Sequence, residues 1–138
     1  MPKKTAFRKK LTRKEQQDLD VEIGFIEGIL RRDPAYVEAL QIVGDAYTRR
    51  GRYADGLKVD KQLARLCPDN SLVHYNLACS YSLLEECDES AVSLERSLTL
   101  GYRDFKWIAI DPDLRNLRRH SLYRQIRAKV RTLKLQMR

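Results

Sequence analysis

Few residues in this chain have the type and spacing that chemistry at a catalytic centre requires. A GxSxG nucleophile elbow, a phosphate-binding glycine loop, an HExxH motif and a dinucleotide fingerprint do not occur in the sequence. The acids of Asp111-Pro112-Asp113 could suggest a metal site, but proline favours the first position of a helix and acids favour its N-terminus. We therefore interpret this segment as a turn and helix start. We predict a non-enzymatic protein with no catalytic residues, cofactor or metal.

The three cysteines, Cys67, Cys79 and Cys87, are also weak candidates for a site. They form no CxxC pair, and only His74 and His120 could complete a zinc site. We expect reduced, buried side chains rather than a disulfide or metal ligands. Because no apolar run follows the basic N-terminus and no stretch of about 18 apolar residues occurs, we predict a cytoplasmic protein without a membrane span.

Charge is spread unevenly along the 138 residues. Residues 1–14 contain seven lysines and arginines, residues 118–138 contain eight, and neither segment contains an acid. The middle, residues 15–117, holds the other 12 of the 27 basic residues and all 19 acidic ones. Two basic ends on an acidic body fit solvated tails, and they also fit contact with nucleic acid or an acidic protein.

If these ends bind RNA or a ribonucleoprotein such as the ribosome, their cations would contact phosphates, and Phe7 and Tyr123 would supply stacking. Binding of RNA or a ribonucleoprotein is one of two functional hypotheses for this chain. The candidate polyanion contacts are Lys3, Lys4, Arg8, Lys9, Lys10, Arg13, Lys14, Arg124, Arg127, Arg131 and Lys134.

A period of 34 residues runs through the centre of the chain. A proline, an apolar residue, a small residue and a tyrosine recur at this spacing. Small residues let two helices approach closely, tyrosines can fill the space beside a helix pair, and prolines end its second helix. The pairs are Pro34 and Pro68, Val43 and Leu77, Gly44 and Ala78, and Tyr47 and Tyr81.

These residues resemble the tetratricopeptide repeat, in which a tight turn joins two antiparallel helices. Residues 12–34 resemble the second half of one repeat, and a full copy and a further copy follow. The chain departs from the family pattern at Gly56, Ser90 and Asp60, the last of which replaces an aromatic residue. The matching segments are Leu40-x-x-Val43-Gly44-x-x-Tyr47 with Gly51-x-Tyr53 and Pro68, and His74-x-x-Leu77-Ala78-x-x-Tyr81 with Ala91 and Leu98.

The elements that must position any site are therefore helices. A capping box of Thr12 and Glu15 predicts a first helix that ends near Arg32. Later helices are expected at about 36–50, 53–66, 70–84 and 88–99, with Asn70 and Asp88 as N-caps. We predict an all-α fold: a basic tail over 1–11, repeat helices over 12–100, and a closing segment with a basic amphipathic helix over 101–138. The resemblance implies a short right-handed solenoid of helical hairpins.

The segment after Gly101 resembles the closing segment of many bacterial tetratricopeptide-repeat proteins. It reads Gly101-Tyr102-Arg103-Asp104-Phe105-Lys106-Trp107 and then Asp111-Pro112-Asp113-Leu114-x-x-Leu117-Arg118. The resemblance implies that Phe105, Trp107, Leu114 and Leu117 cap the core, although Trp107 could instead anchor a partner. A final helix, from about Ser121 to Met137, carries an apolar stripe and a basic side. It could dock on the repeats, or be offered to a partner or to anionic lipid. The stripe is Leu122, Ile126, Val130, Leu133 and Met137.

The resemblance also implies our first functional hypothesis, an adaptor whose first helices line a groove for a partner segment. Asn76 matches an asparagine that holds the ligand backbone in many such proteins. Gln41 and Asp45 replace the lysine and asparagine of the co-chaperone groove, so we do not expect chaperone tails to bind. We expect Tyr75 and Asn76 to be accessible, and Tyr47, Leu77, Tyr81 and Trp107 to be buried. The predicted groove residues are Glu38, Gln41, Ile42, Asp45, Thr48, Arg49, Leu72, Tyr75, Asn76, Cys79, Ser82 and Leu83.

Overall fold

The fold is all-α in the computed structural model, which describes residues 10–138. No strand occurs within that range, as the sequence predicts. A short 3-10 turn, Pro112–Leu114, precedes the seventh helix. The α-helices are α1 (Arg13–Arg32), α2 (Val37–Arg50), α3 (Tyr53–Leu66), α4 (Ser71–Leu83), α5 (Cys87–Thr99), α6 (Phe105–Ile110), α7 (Arg115–Arg119) and α8 (Tyr123–Gln136).

The helix ends follow local capping chemistry. At the start of α1, Thr12 accepts a hydrogen bond from the backbone of Glu15 at 3.1 Å, and the Glu15 side chain accepts one from the Thr12 backbone at 3.0 Å. Asn70 caps α4 by accepting from two backbone N–H groups. The expected cap at Asp88 is wrong, because α5 begins at Cys87 after Glu86, whose side chain makes no capping bond.

Consecutive helices from α1 to α5 pack each on the next, and the closing segment packs on α4 and α5. The apolar core has two parts. One joins α1, α2 and α3 to the start of α4, and the other joins α4 and α5 to residues 102–126. Trp107, Leu114 and Leu117 are buried in the second part, and Phe105 packs against it partly buried. The closing segment therefore completes the core, as expected.

Small and polar residues explain how the hairpins approach closely. A Cβ atom on Gly56 would lie 3.0 Å from the Thr48 hydroxyl oxygen, so a larger residue here would require the Thr48 side chain to shift. Ser90 donates a hydrogen bond to the Ala78 carbonyl at 2.7 Å and ties α5 to α4. The departures from the repeat pattern at Gly56 and Ser90 thus have packing roles.

Among the side chains expected to be buried, Tyr81 needs correction, and one end of the apolar stripe of the last helix is exposed. Tyr47 is buried as predicted, with its hydroxyl donating to Glu27 at 2.5 Å. Tyr81 is only half-buried, and the Lys61 ammonium lies 5.7 Å from its ring centroid. Met137, expected on the apolar stripe of α8, is 61% exposed because α8 extends beyond the core at that end.

Because part of the Tyr81 ring stays in contact with water, truncating it removes less buried surface than a fully enclosed tyrosine would. We expect Tyr81→Ala to lower the free energy of unfolding by about 2 kcal/mol, below the roughly 3–5 kcal/mol typical of an enclosed aromatic side chain. Urea denaturation followed by circular dichroism measures this difference. A loss of about 4 kcal/mol or more would mean that the ring is fully enclosed in solution.

Candidate protein-binding groove

A groove of about 170 Å³ opens between α2, α3 and the first half of α4. Helices α2 and α4 supply its walls, and α3 supplies part of its floor. We call this surface the α2–α4 groove. Its lining residues are Gln41, Gly44, Asp45, Thr48, Asp60, Leu63, Asn70, Leu72, Val73 and Asn76.

The floor of the α2–α4 groove is held by internal hydrogen bonds. Thr48 donates to the Gly44 carbonyl at 3.1 Å within α2. The buried Asp60 carboxylate accepts from the Ser80 hydroxyl at 2.5 Å and so links α3 to α4. The polar floor is therefore fixed before any ligand arrives, which lowers the entropic cost of binding.

The charge of the groove favours particular ligands. Asp45 and Asp60 place carboxylates at its edge and floor, and none of the ten described lining residues is basic. Arg49 lies at the rim, 3.9 Å from Asp45, and both are partly exposed. The amide side chains of Gln41 and Asn76 can each donate and accept hydrogen bonds. Such a surface suits a peptide backbone or a positively charged side chain.

The structure brings together five of the predicted groove residues: Gln41, Asp45, Thr48, Leu72 and Asn76. Thr48 contributes from the floor, because only 3% of its surface is exposed. The other predicted residues of α2, namely Glu38, Ile42 and Arg49, are exposed but do not line the cavity.

The other predicted residues of α4 are not on an open surface. Tyr75, Cys79 and Ser82 are buried, and Leu83 is half-buried. The expectation that Tyr75 is accessible is therefore wrong. The reason is that the chain's own closing segment covers this face of α4.

Hydrogen bonds hold the closing segment on α4. Tyr75 donates from its hydroxyl to Asp111 at 2.6 Å, and the Cys79 thiol lies 3.7 Å from the same carboxylate oxygen. Further along α4, the Ser82 hydroxyl accepts from the Leu117 backbone at 3.2 Å. Burial, with added effects of Cys79 and Asp111, raises the pKa of Tyr75 far above its usual range, so its hydroxyl stays a neutral donor. Tyr75 also stacks on Tyr102, with ring centroids 4.3 Å apart.

The Asp111-Pro112-Asp113 segment forms the turn and helix start that the sequence predicts. Asp111 caps the 3-10 turn by accepting from the Asp113 backbone at 2.9 Å, and Pro112 is its first residue. Cys79, Asp111 and Asp113 bring three potential metal-ligand atoms within 4.8 Å of one another. Asp111 caps the 3-10 turn through its bond with Asp113, and it links this turn to α4 through its bond with Tyr75. Cys87 is buried like Cys79, whereas Cys67 is partly exposed, and none of the three forms a disulfide.

Sequence reasoning missed several lining residues of the α2–α4 groove. Asp60 could have been identified from the sequence, because it stands where the tetratricopeptide pattern prefers an aromatic side chain. Asn70 was identified only as a helix cap. Leu63 and Val73 belong to regular apolar stripes, so nothing in the sequence separates them from core residues.

The candidate polyanion contacts fall partly outside the described residues, because Lys3, Lys4, Arg8 and Lys9 precede residue 10. The others are exposed: Lys10 before α1, Arg13 and Lys14 at its start, and Arg124, Arg127, Arg131 and Lys134 on α8. Their role in binding RNA stays a prediction. Of the two residues expected to stack on bases, Phe7 lies outside the described residues, and Tyr123 is buried, so the expectation that its ring is open for stacking is wrong.

Part of the chain is similar to part of a known protein. Over 79 residues the chain is 35% identical to a chloroplastic protein of Arabidopsis thaliana. This match covers 55% of the chain and 24% of that protein, so the chain spans about a quarter of the length of its curated relative. No protein-family model matches the sequence. Within residues 10–138, the helices are too short or too polar to cross a membrane.

Proposed function

We propose that this chain is a non-enzymatic adaptor that holds a segment of a partner protein in the α2–α4 groove. In this proposal, the α2–α3 and α4–α5 hairpins are tetratricopeptide-type repeats, and α1 is the second half of an earlier repeat. The 34-residue offset and the stepwise packing of α1 to α5 support that assignment. The main support for the proposal is that α2 and α4 line one open cavity, although the whole of α3 separates them in the sequence. Helix α2 contributes Gln41 and Asp45, and α4 contributes Leu72 and Asn76.

The proposed ligand is an extended or helical segment that offers backbone N–H groups or a basic side chain. Gln41 and Asn76 would bond to its backbone, and Asp45 would attract its positive charge. Leu72 is 38% exposed and would supply an apolar contact at the mouth of the groove. Because the closing segment covers the face of α4 that carries Tyr75 and Ser82, the proposed ligand contacts α4 through Leu72 and Asn76.

Photo-crosslinking in the native host tests this proposal. A photoreactive amino acid at position 41 or 76 should capture the same partner protein from both sides of the groove. The matched controls are positions 58 and 65, which are exposed on α3 and do not line the cavity. Capture of that partner as often from the control positions would contradict the proposal, because the groove would then have no special role.

Binding of RNA or a ribonucleoprotein is the second candidate function. It is favoured by Arg124, Arg127, Arg131 and Lys134, which are all exposed on α8, a helix that contains no acid. The same crosslinking experiment separates the two candidates when nuclease is added before capture. Loss of every crosslink after nuclease would favour RNA, whereas crosslinks at positions 41 and 76 that survive nuclease would favour the adaptor.

A further inference from the structure

A second groove, of about 490 Å³, lies between α6 and α8, in the C-terminal part of the chain. We call it the α6–α8 groove. Its apolar lining includes Phe105, Ile108 and Val130, and its cations include Arg127, Arg131 and Lys134. None of the described residues that line it is acidic. The charge of the α6–α8 groove is therefore positive, whereas the charged residues that line the α2–α4 groove are acidic.

The walls of the α6–α8 groove are built by packing and hydrogen bonding. Arg118 donates to the Ile108 carbonyl at 2.8 Å, which ties α7 to the end of α6. The Lys134 ammonium lies 5.7 Å from the Phe105 ring centroid, and the Arg127 guanidinium lies 5.3 Å from that of Tyr123. These contacts hold the cations beside an apolar surface, where charge is screened less than in open water.

The spacing of the cations matches one helix face. Arg127, Arg131 and Lys134 lie at positions i, i+4 and i+7 of α8, so they follow one side of the helix over about 10 Å. A second helix with acids at the same spacing could pair with all three. Its apolar side chains could then fill the space beside Ile108 and Val130.

We propose that the α6–α8 groove binds an acidic amphipathic helix of a partner protein. Charge complementarity and the apolar lining support this occupant. RNA fits less well, because the chain's own cations already lie over the Phe105 and Tyr123 rings, and an apolar lining gives phosphates no partner. This binding goes beyond the proposed adaptor function of the α2–α4 groove and does not depend on it.

The test uses the full chain and a synthetic amphipathic helix with leucines on one face and glutamates along its flanks. A twin peptide carries glutamine in place of each glutamate. By fluorescence anisotropy, we expect the acidic peptide to bind at least about tenfold more tightly than its twin. Arg127→Glu combined with Arg131→Glu should abolish this preference. Equal affinity for the two peptides would overturn the proposal.

A matched control separates this groove from general electrostatic attraction. Arg119→Glu combined with Arg124→Glu makes the same change in charge at exposed positions that do not line the groove. We expect this control to keep the affinity within about twofold of the wild type. An equal loss in both double variants would overturn the proposal, as would displacement of the acidic peptide by single-stranded RNA or by vesicles of anionic lipid. If the charge reversals lower thermal stability, Arg127→Gln with Arg131→Gln should still reduce the preference for the acidic peptide.

Discussion

Deleting residues 121–138 is expected to lower the free energy of unfolding by about 5 kcal/mol or more. Tyr123 and Ile126 of α8 are 7% and 1% exposed and belong to the core around α4 and α5. Truncating one such side chain to alanine typically costs about 2–5 kcal/mol. Domains of this size are stable by only about 5–15 kcal/mol, so the deletion would leave a substantial unfolded fraction.

Urea denaturation followed by circular dichroism measures this loss, and a shorter deletion supplies the control. Residues 135–138 are all exposed, so their removal should change the free energy of unfolding by less than about 0.5 kcal/mol. If the chain without residues 121–138 unfolded at the wild-type urea concentration, α8 would not be part of the core in solution.

Asp111→Ala is expected to lower the free energy of unfolding by about 2–6 kcal/mol. The carboxylate accepts from the Tyr75 hydroxyl at 2.6 Å and from the Asp113 backbone at 2.9 Å, and all three residues are buried. Its removal leaves two buried donors without these acceptor atoms, at a cost of about 1–3 kcal/mol each. The interaction between α4 and the closing segment would weaken at the same time.

The conservative variant Asp111→Asn distinguishes hydrogen bonding from simple loss of volume. Its side-chain carbonyl oxygen can still accept one of the two bonds, so we expect less than about half of the destabilisation of Asp111→Ala. Both variants can be compared by urea denaturation. A stability of Asp111→Ala within about 0.5 kcal/mol of the wild type would show that this link contributes little.

Local sequence signals predicted the helices well because the interactions that end a helix are local. Thr12 and Glu15 are three residues apart, and Asn70 accepts from the backbone of Leu72 and Val73 in the first turn of α4. The error at Asp88 also has a local cause. Several acids near the start of α5 were possible caps, and the backbone begins its helix without a side-chain cap at Glu86.

The covering of Tyr75 could not be predicted because it depends on contacts between distant parts of the chain. Tyr75 and Asp111 are 36 residues apart, and Ser82 and Leu117 are 35 apart. Helical periodicity shows which residues share a face of α4, but it does not show which later segment packs on that face. Much of the expected groove surface on α4 is therefore internal contact in the folded chain.

The polar pair at Asp60 shows a second limit of sequence reasoning. Asp60 stands where the tetratricopeptide pattern prefers an aromatic residue, and this departure was visible in the sequence. Its partner Ser80 is 20 residues away on α4, so the hydrogen bond between Asp60 and Ser80 could not be predicted from the sequence. The pair makes the floor of the α2–α4 groove polar, and a polar floor suits ligands that offer hydrogen-bonding groups.

The adaptor proposal is tested most directly by measuring how tightly the captured partner binds a variant of this chain whose α2–α4 groove is altered. The partner is the protein that crosslinks to position 41. Gln41→Ala combined with Asn76→Ala removes two partly exposed amides without disturbing the core, so thermal stability should stay close to that of the wild type. Isothermal titration calorimetry should show binding about tenfold weaker, while Lys58→Ala combined with Arg65→Ala should bind like the wild type. Wild-type affinity in the groove variant, with its fold intact, would contradict the proposal that the α2–α4 groove holds the partner.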